Sequence, residues 1–329
     1  MKNKYFLYVS IGVCAAAFFG VYVLYNTTAF KIDVSTASAS QLRDQKKYWG
    51  EVIHAEGKDE AYAKFLALAP TLSLSTHEQA HAFGEALYEV AGLNGLSACD
   101  SSFEFGCYHS FFGVAVQAEG IEVLPQFDEA CKTKYGDRNL PCQHGIGHGV
   151  MVYADYDNLT KALELCQTIS NLPTGGCSSG VFMEYNFHAM DTSTSTYVRR
   201  KSENVFEPCD ALPAVFQDSC YNEQVQWWQT VFKNDFAYIG TLCQTLPYAS
   251  STYEACFHGI GNYVAVDAKK EYQGIIDRCM SMPNEETKSL CHEGASWLVI
   301  FDEGNDDNAK NLCTVLKDPY QTTCLERLR

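Results

Sequence analysis

The sequence is short of positive charge: 24 Lys and Arg residues stand against 40 Asp and Glu, which gives a formal net charge of −16. Nucleic-acid binding depends on clustered Lys and Arg that neutralise phosphates, so this balance argues against a nucleic-acid partner. It also argues against adhesion to an anionic membrane surface. The chain lacks a C-x-x-C-H haem attachment, a phosphate-binding glycine loop and a G-x-S-x-G nucleophile elbow. The chemistry that those motifs carry is therefore not expected here.

Charge is missing altogether from Phe6 to Tyr25, a run of twenty residues that is long enough to cross a bilayer as a helix. Two lysines precede the run, which places the N-terminus in the cytoplasm. A cleaved signal peptide is the alternative, but the small-residue stretch "TASAS" lies more than ten residues beyond the run. The sequence predicts a cytoplasmic N-terminus (1–5), a retained transmembrane signal-anchor (6–25), a polar linker (26–45) and an extracytoplasmic domain (46–329).

Cysteine is abundant, and its spacing is regular. Of the 15 cysteines, Cys14 lies in the apolar run, and the other fourteen alternate between short separations (8, 11, 11, 11, 13, 12 and 11) and long ones (24, 24, 32, 23, 23 and 22). A fixed period of about 35 residues indicates an internal repeat, and the separation of 32 indicates an insertion. Because C-x-x-C spacing is absent, disulfides in an oxidising compartment are favoured over metal–thiolate sites. We predict seven adjacent pairs: Cys99–Cys107, Cys131–Cys142, Cys166–Cys177, Cys209–Cys220, Cys243–Cys256, Cys279–Cys291 and Cys313–Cys324.

Each repeat unit predicts a helical hairpin. An opening Cys begins a segment with helical apolar spacing, such as "CQHGIGHGVMVYA", and a second helical segment, such as "DNLTKALELC", ends in the next Cys. The expected fold is therefore all-α. It is an α-solenoid, or a closed αα-ring, of about seven disulfide-linked hairpins behind an N-terminal transmembrane helix.

The junction "SACDSSFEFGCYHSFFG" resembles that of Sel1-like repeats of the helical cysteine-rich kind, which are relatives of the tetratricopeptide repeats. The resemblance extends over Cys99 to Cys324 and concerns architecture, because a His-Gly pair often stands where those repeats have Leu-Gly. It implies a protein-binding scaffold with a concave face. It does not supply catalytic residues.

The most informative position in the repeat lies two residues after the opening Cys. His109, His144 and His258 occupy it, and His77 occupies the equivalent position in a unit without the Cys. His81 lies four residues after His77, and His148 lies four residues after His144, each in the same predicted helix. A spacing of four places both imidazoles on one face of a helix. Six of the nine histidines fall in these two positions.

Two explanations of this pattern stay open at the level of sequence. Polar side chains near a helix start can cap free N–H groups, and the neighbouring glycines can allow close packing. Alternatively, the six histidines bind Zn²⁺ or another transition metal, for which imidazole is a suitable ligand. "HEQAH" matches the zinc-protease pattern, but the equivalent unit reads "HGIGH", so the histidine pair belongs to the repeat.

The predicted function follows from these alternatives. The first is a membrane-anchored metal-binding protein and candidate metal-dependent hydrolase, in which Glu85 or Glu184 is the candidate catalytic base for a metal-activated water. The second is a non-catalytic Sel1-like scaffold. In either case the expected partner is a protein or small molecule on the concave face, and the membrane is contacted through the N-terminal helix.

Overall fold

The computed structural model describes residues 39–71, 75–103, 105–156, 158–169, 174–190, 204–269, 271–303 and 306–328. The described residues form fifteen α-helices and no strand, which confirms the all-α class. The helices are α1 (Ala39–Glu56), α2 (Lys58–Leu68), α3 (Thr76–Ala91), α4 (Gly106–Glu119), α5 (Leu124–Tyr135), α6 (Leu140–Tyr153), α7 (Leu159–Gln167), α8 (Cys177–Met190), α9 (Ala214–Val231), α10 (Phe236–Cys243), α11 (Ser251–Asp267), α12 (Tyr272–Cys279), α13 (Glu285–Glu303), α14 (Asp306–Cys313) and α15 (Tyr320–Arg327).

All seven predicted disulfides are present, each between adjacent cysteines. Every bonded cysteine is buried. Most bonds join the C-terminal part of a short second helix to the N-terminal part of the next long helix, across a connector of about ten residues. The chain-entropy account gives each such loop closure about 2–4 kcal/mol of stabilisation. The disulfides therefore fix the junction of each pair of units.

The long first helices pack side by side in chain order. Contacts run from α1 to α3, then to α4, α6, α8, α9, α11 and α13, so that each long helix lies between its two neighbours. The short second helices α7, α10 and α12 each contact the long helices on either side of them. This arrangement places equivalent positions of successive long helices next to one another, which is what brings side chains of different units together.

The core is built from aromatic and aliphatic residues at these interfaces. Near the start of the described chain, the ring of Phe83 lies 4.9 Å from that of Phe65 and 5.4 Å from that of Trp49, between centroids. Phe83 and Phe65 are fully buried. These ring contacts hold helix α2 against both α1 and α3. Burial of aromatic rings of this size is the main contribution to the stability of the folded state.

The hairpin pattern is less regular than the cysteine spacing predicts. In the unit that begins with α3, the second helix is a 3₁₀ segment (Gly92–Ala98), and before α9 the described second element is the short 3₁₀ segment Cys209–Ala211. The later long helices also begin several residues before their cysteine. Helix α11, for example, begins at Ser251 because the Ser250 side chain accepts a hydrogen bond from the Tyr253 N–H and caps the extra turn.

The predicted membrane anchor at 6–25 and most of the linker lie outside the described residues. Within the described ranges, none of the helices combines the length and the apolar character that a membrane span requires.

Candidate metal centre

Five histidines from three consecutive long helices lie together. His77 and His81 come from α3, His109 from α4, and His144 and His148 from α6. The ring centroids of His77 and His81 are 4.4 Å apart, those of His109 and His148 are 4.3 Å apart, and those of His144 and His148 are 5.0 Å apart. We call this group the five-histidine cluster.

The cluster consists of two triplets that share one residue. His77, His81 and His109 form the first triplet, and His109, His144 and His148 form the second. In each triplet the three rings offer one nitrogen apiece, and these nitrogens lie within 4.8 Å of one another. In an occupied tetrahedral zinc site the nitrogens would be about 3.3 Å apart, because the Zn–N bond is about 2.0–2.1 Å long. Either triplet could hold an ion if its side chains rotated so that the nitrogens came closer together.

Glycines allow the three helices to approach closely enough for this. A Cβ built on Gly84 in α3 would lie 2.3 Å from the carbonyl oxygen of Cys107 in α4, and one built on Gly149 in α6 would lie 2.9 Å from the backbone of Phe112 in α4. Contacts of this length do not occur with a real Cβ, so even alanine would force these helices apart. The glycines beside the histidines therefore permit close backbone packing.

The contact between α6 and α8 is closer still, and it is reciprocal. A Cβ on Gly147 would lie 2.0 Å from the carbonyl oxygen of Cys177, and a Cβ on Gly180 would lie 1.9 Å from the carbonyl oxygen of His144. The two glycines thus bring α8 against the segment of α6 that contains both of its cluster histidines. Residues of α8 can consequently reach the cluster.

Hydrogen bonds fix the orientation of two cluster rings. The Nδ1 atom of His77 lies 2.8 Å from the carbonyl oxygen of Phe103, and the Nδ1 atom of His148 lies 2.8 Å from Oε2 of Glu184. A carbonyl or an ionised carboxylate can only accept, so Nδ1 is the donor in both rings, and in the neutral form of each ring the lone pair lies on Nε2. Metal-bound histidines typically donate their second ring N–H in this way.

Two nitrogens of the cluster are buried without a hydrogen-bond partner in the described part of the chain: Nε2 of His81 and Nε2 of His148. The His148 residue is only 5% exposed. Leaving a polar atom buried and unpaired costs about 1–3 kcal/mol. There is one such atom in each triplet, and a metal ion bound to that triplet would satisfy it.

The electrostatics of the cluster favour the neutral imidazole in three of its five rings. Burial, together with repulsion from neighbouring histidines, holds the pKa of His81, His109 and His144 well below the ordinary 6.5. The neutral ring is the form that binds a metal ion. Burial by itself raises the pKa of the Glu184 carboxyl, but its interactions with His148 and Tyr156 outweigh burial, so this pKa lies below its ordinary value. A carboxylate therefore lies behind the cluster at neutral pH.

The repeat pattern in the sequence does not predict three of the groups at the site. The Phe103 carbonyl that orients His77 is a backbone atom. The Tyr156 hydroxyl donates to Oε1 of Glu184 at 3.1 Å, and the His188 ring stacks on Tyr156 with centroids 3.8 Å apart. Because Tyr156 follows α6 in a turn and has a positive φ of 59°, its position depends on the turn and not on a helical register.

The remaining two predicted site residues lie in other surroundings. Glu85 forms an ion pair with Lys46 at 2.9 Å and is partly exposed. His258 lies on α11, where its Nε2 is 3.2 Å from Oε2 of Glu293, a buried carboxylate that also accepts from Arg327 at 2.8 Å. Neither residue belongs to the two triplets found among the described residues. The catalytic role of Glu85 and of Glu184, and the ligand role of His258, stay predictions.

The capping explanation does not account for His144 or His258. His144 is the fifth residue of α6, and His258 is the eighth residue of α11, well inside both helices. The side-chain caps come from other residues, such as Ser75 before α3 and Asn158 before α7. Ser179, by contrast, accepts a hydrogen bond from the Gly175 N–H at the start of α8, as the capping explanation expects.

Comparison with known proteins adds no relative to this description. No protein-family model matches the chain, and searches of curated proteins and of solved structures found no significant match.

Proposed function

We propose that this protein binds a transition-metal ion through the five-histidine cluster, in an oxidising compartment outside the cytoplasm. The observation that carries the proposal is the pair of buried, unpartnered nitrogens, Nε2 of His81 and of His148, each within a triplet of converging imidazoles. The hydrogen bonds of His77 to the Phe103 carbonyl and of His148 to Glu184 support it, because each occupies Nδ1 and leaves Nε2 for a metal ion. The seven disulfides support the compartment.

The donor set favours a particular group of metals. Every ligand atom of both triplets is an imidazole nitrogen, and imidazole suits Zn²⁺, Cu²⁺, Ni²⁺ and iron better than it suits Ca²⁺ or Mg²⁺. Three histidines leave a tetrahedral ion with one open position for water or substrate. This open position supports a metal-dependent hydrolase. Because one Glu184 oxygen is already bonded to His148, we assign Glu184 to orienting that ring.

The test is the metal content of the ectodomain, purified without chelators and loaded with Zn²⁺. The double variant His81→Ala with His148→Ala removes both unpartnered nitrogens and leaves two ligands in each triplet. It should lose stoichiometric metal, whereas His54→Ala, which removes an exposed histidine of α1, should keep it. Circular dichroism and a non-reducing peptide map confirm that the variant is folded. A wild type that binds no transition metal contradicts the proposal.

The alternative is a non-catalytic Sel1-like scaffold in which the row of long helices forms a solenoid and its inner face binds a partner. A specific observation favours it: three of the four long helices α8, α9, α11 and α13 have a residue other than histidine at the histidine position, and these polar groups are hydrogen-bonded within the fold (Ser179, Asn222 and Glu293). The same elemental analysis separates the two functions, because a scaffold needs no metal.

We also propose that the chain is attached to the membrane through the apolar run 6–25, with the helical domain outside. The charge-free length of the run and the two preceding lysines support this. Protease added to intact cells should then digest the helical domain while the N-terminus of the mature chain is retained. A soluble form that begins near Ser40 would show cleavage instead.

A further inference from the structure

The five-histidine cluster contains more ligands than one ion can use. A tetrahedral ion accepts four ligands, whereas the cluster offers five rings arranged as two triplets. Each triplet supplies three nitrogens without help from the other, and His109 is the residue common to the two triplets found in the described ranges. The number of rings and their grouping thus fit two ions better than one.

His109 also differs from the two rings whose orientation is fixed. His77 and His148 each use Nδ1 in a hydrogen bond, so each has only Nε2 left for a metal. The His109 ring forms no hydrogen bond in the described part of the chain. Neither of its nitrogens is therefore held by the protein: one offers a lone pair in the neutral ring, and the other can bind a metal ion once its N–H proton is lost.

The position of the His109 ring is also consistent with binding to two metal ions. Its ring centroid lies 5.3 Å from that of His77 and 5.7 Å from that of His81, both in α3, and 6.1 Å from that of His144 and 4.3 Å from that of His148, both in α6. Helix α4 lies between α3 and α6. The ring of His109 is thus placed between the two histidine pairs.

From these observations we infer that the cluster is a dinuclear centre in which His109 bridges two transition-metal ions. One ion binds His77, His81 and His109, and the other binds His109, His144 and His148. The bridging ring binds one ion through each nitrogen, so it gives up its remaining N–H proton to solvent. This inference rests on the proposed function, and it adds the number of ions and the ligand between them.

The experiment titrates the metal-free full-length protein with Cu²⁺ and follows both stoichiometry and electron paramagnetic resonance. The wild type should bind two equivalents, and its signal at two equivalents should be weaker than that of two isolated ions, because an imidazolate bridge couples their unpaired spins. His77→Ala with His81→Ala, and separately His144→Ala with His148→Ala, should each bind one equivalent with a full-intensity signal. His54→Ala should behave as the wild type.

The single variant His109→Ala tests the bridge most specifically, because it removes the bridging ring and leaves both pairs of histidines in place. It should weaken both equivalents and abolish the coupling. One equivalent in the wild type, or two equivalents whose signals simply add, overturns the dinuclear inference while the proposed metal binding stands. No stoichiometric Cu²⁺ at all, with Zn²⁺ also absent, overturns the proposed function itself.

Discussion

The Nδ1–H of His148 donates to Oε2 of Glu184 over 2.8 Å, so a carboxylate on α8 fixes the orientation of a ring on α6. The other Glu184 oxygen accepts from Tyr156 at 3.1 Å. The carboxylate is thus bonded on both sides, and the Nε2 atom of His148 is left facing into the cluster without a partner. Glu184 acts on the cluster through His148, which makes it a positioning residue.

Removal of this carboxylate should weaken metal binding without destroying it. Glu184→Gln keeps the shape of the side chain but no longer guarantees that Nδ1 is the protonated nitrogen, and loss of such a partner typically lowers metal affinity about 10–100-fold. Glu85→Gln is the matched control, because Glu85 pairs with Lys46. Affinity is measured by competition with a chromophoric chelator. An equal loss in both variants would show that Glu184 has no special relation to the cluster.

A methyl group at Gly180 should disrupt the contact between α6 and α8. Its Cβ would lie 1.9 Å from the carbonyl oxygen of His144, and backbone must move to relieve that contact. We expect Gly180→Ala to lower the free energy of unfolding by about 1–3 kcal/mol.

The matched variant is Gly113→Ala in α4, where a Cβ meets no atom within 4 Å. Alanine is favoured over glycine inside a helix by about 0.5–1 kcal/mol, so this variant should be slightly more stable than the wild type. Denaturant unfolding of both variants gives the comparison. Equal effects would mean that the helix contact tolerates a side chain.

The disulfides give a third prediction. Replacement of Cys131 and Cys142 by alanine opens a loop with a sequence separation of 11 residues and should lower stability by about 2–4 kcal/mol. Non-reducing peptide mapping of the wild type should find the seven adjacent pairs, with Cys14 unpaired. Cross-links between distant units would contradict the pairing.

The stability of the fold should depend on pH through Glu223, a buried residue of α9 that belongs to neither triplet. Burial raises the pKa of this glutamate from the ordinary 4.5 to about 7, and its Oε2 accepts from the Tyr263 hydroxyl at 2.6 Å. The folded state therefore holds a proton that the unfolded state releases. Its stabilising effect is complete below pH 4.5 and is lost as the pH rises through about 7.

Glu223→Gln removes this titration and leaves an oxygen for Tyr263. The variant should match the wild type near pH 4.5 and exceed it above pH 7 by up to about 3 kcal/mol, since one pKa unit corresponds to about 1.4 kcal/mol. Glu129→Gln, an exposed position on α5, should leave the pH profile of unfolding unchanged. Parallel profiles for wild type and Glu223→Gln would refute this assignment.

Much of the fold can be predicted from the sequence because the repeat constrains it. The alternating cysteine separations predict both the hairpins and the bonds between adjacent cysteines. The histidines can be placed together because a spacing of four puts His144 and His148 on one helix face, and because equivalent helices of neighbouring units pack side by side.

The rest depends on contacts between residues that the repeat does not relate. The role of Glu184 requires the close approach at Gly180, and the orientation of His77 requires a backbone carbonyl. His258 occupies the repeat position of the cluster histidines, but α8 and α9 lie between α6 and α11 in the row of helices, and His258 pairs with Glu293 instead. The repeat position of a histidine alone does not show how many helices separate it from the cluster.

The central claim is that the five-histidine cluster holds metal, and anomalous X-ray diffraction from crystals of the metal-loaded ectodomain tests it most directly. Data collected above and below the absorption edge of the bound metal locate the ion itself. We expect an anomalous peak about 2.0–2.1 Å from Nε2 of His148 or of His81. A crystal of fully folded protein with no peak at the cluster, or with its peak beside His258 and Glu293, would contradict it.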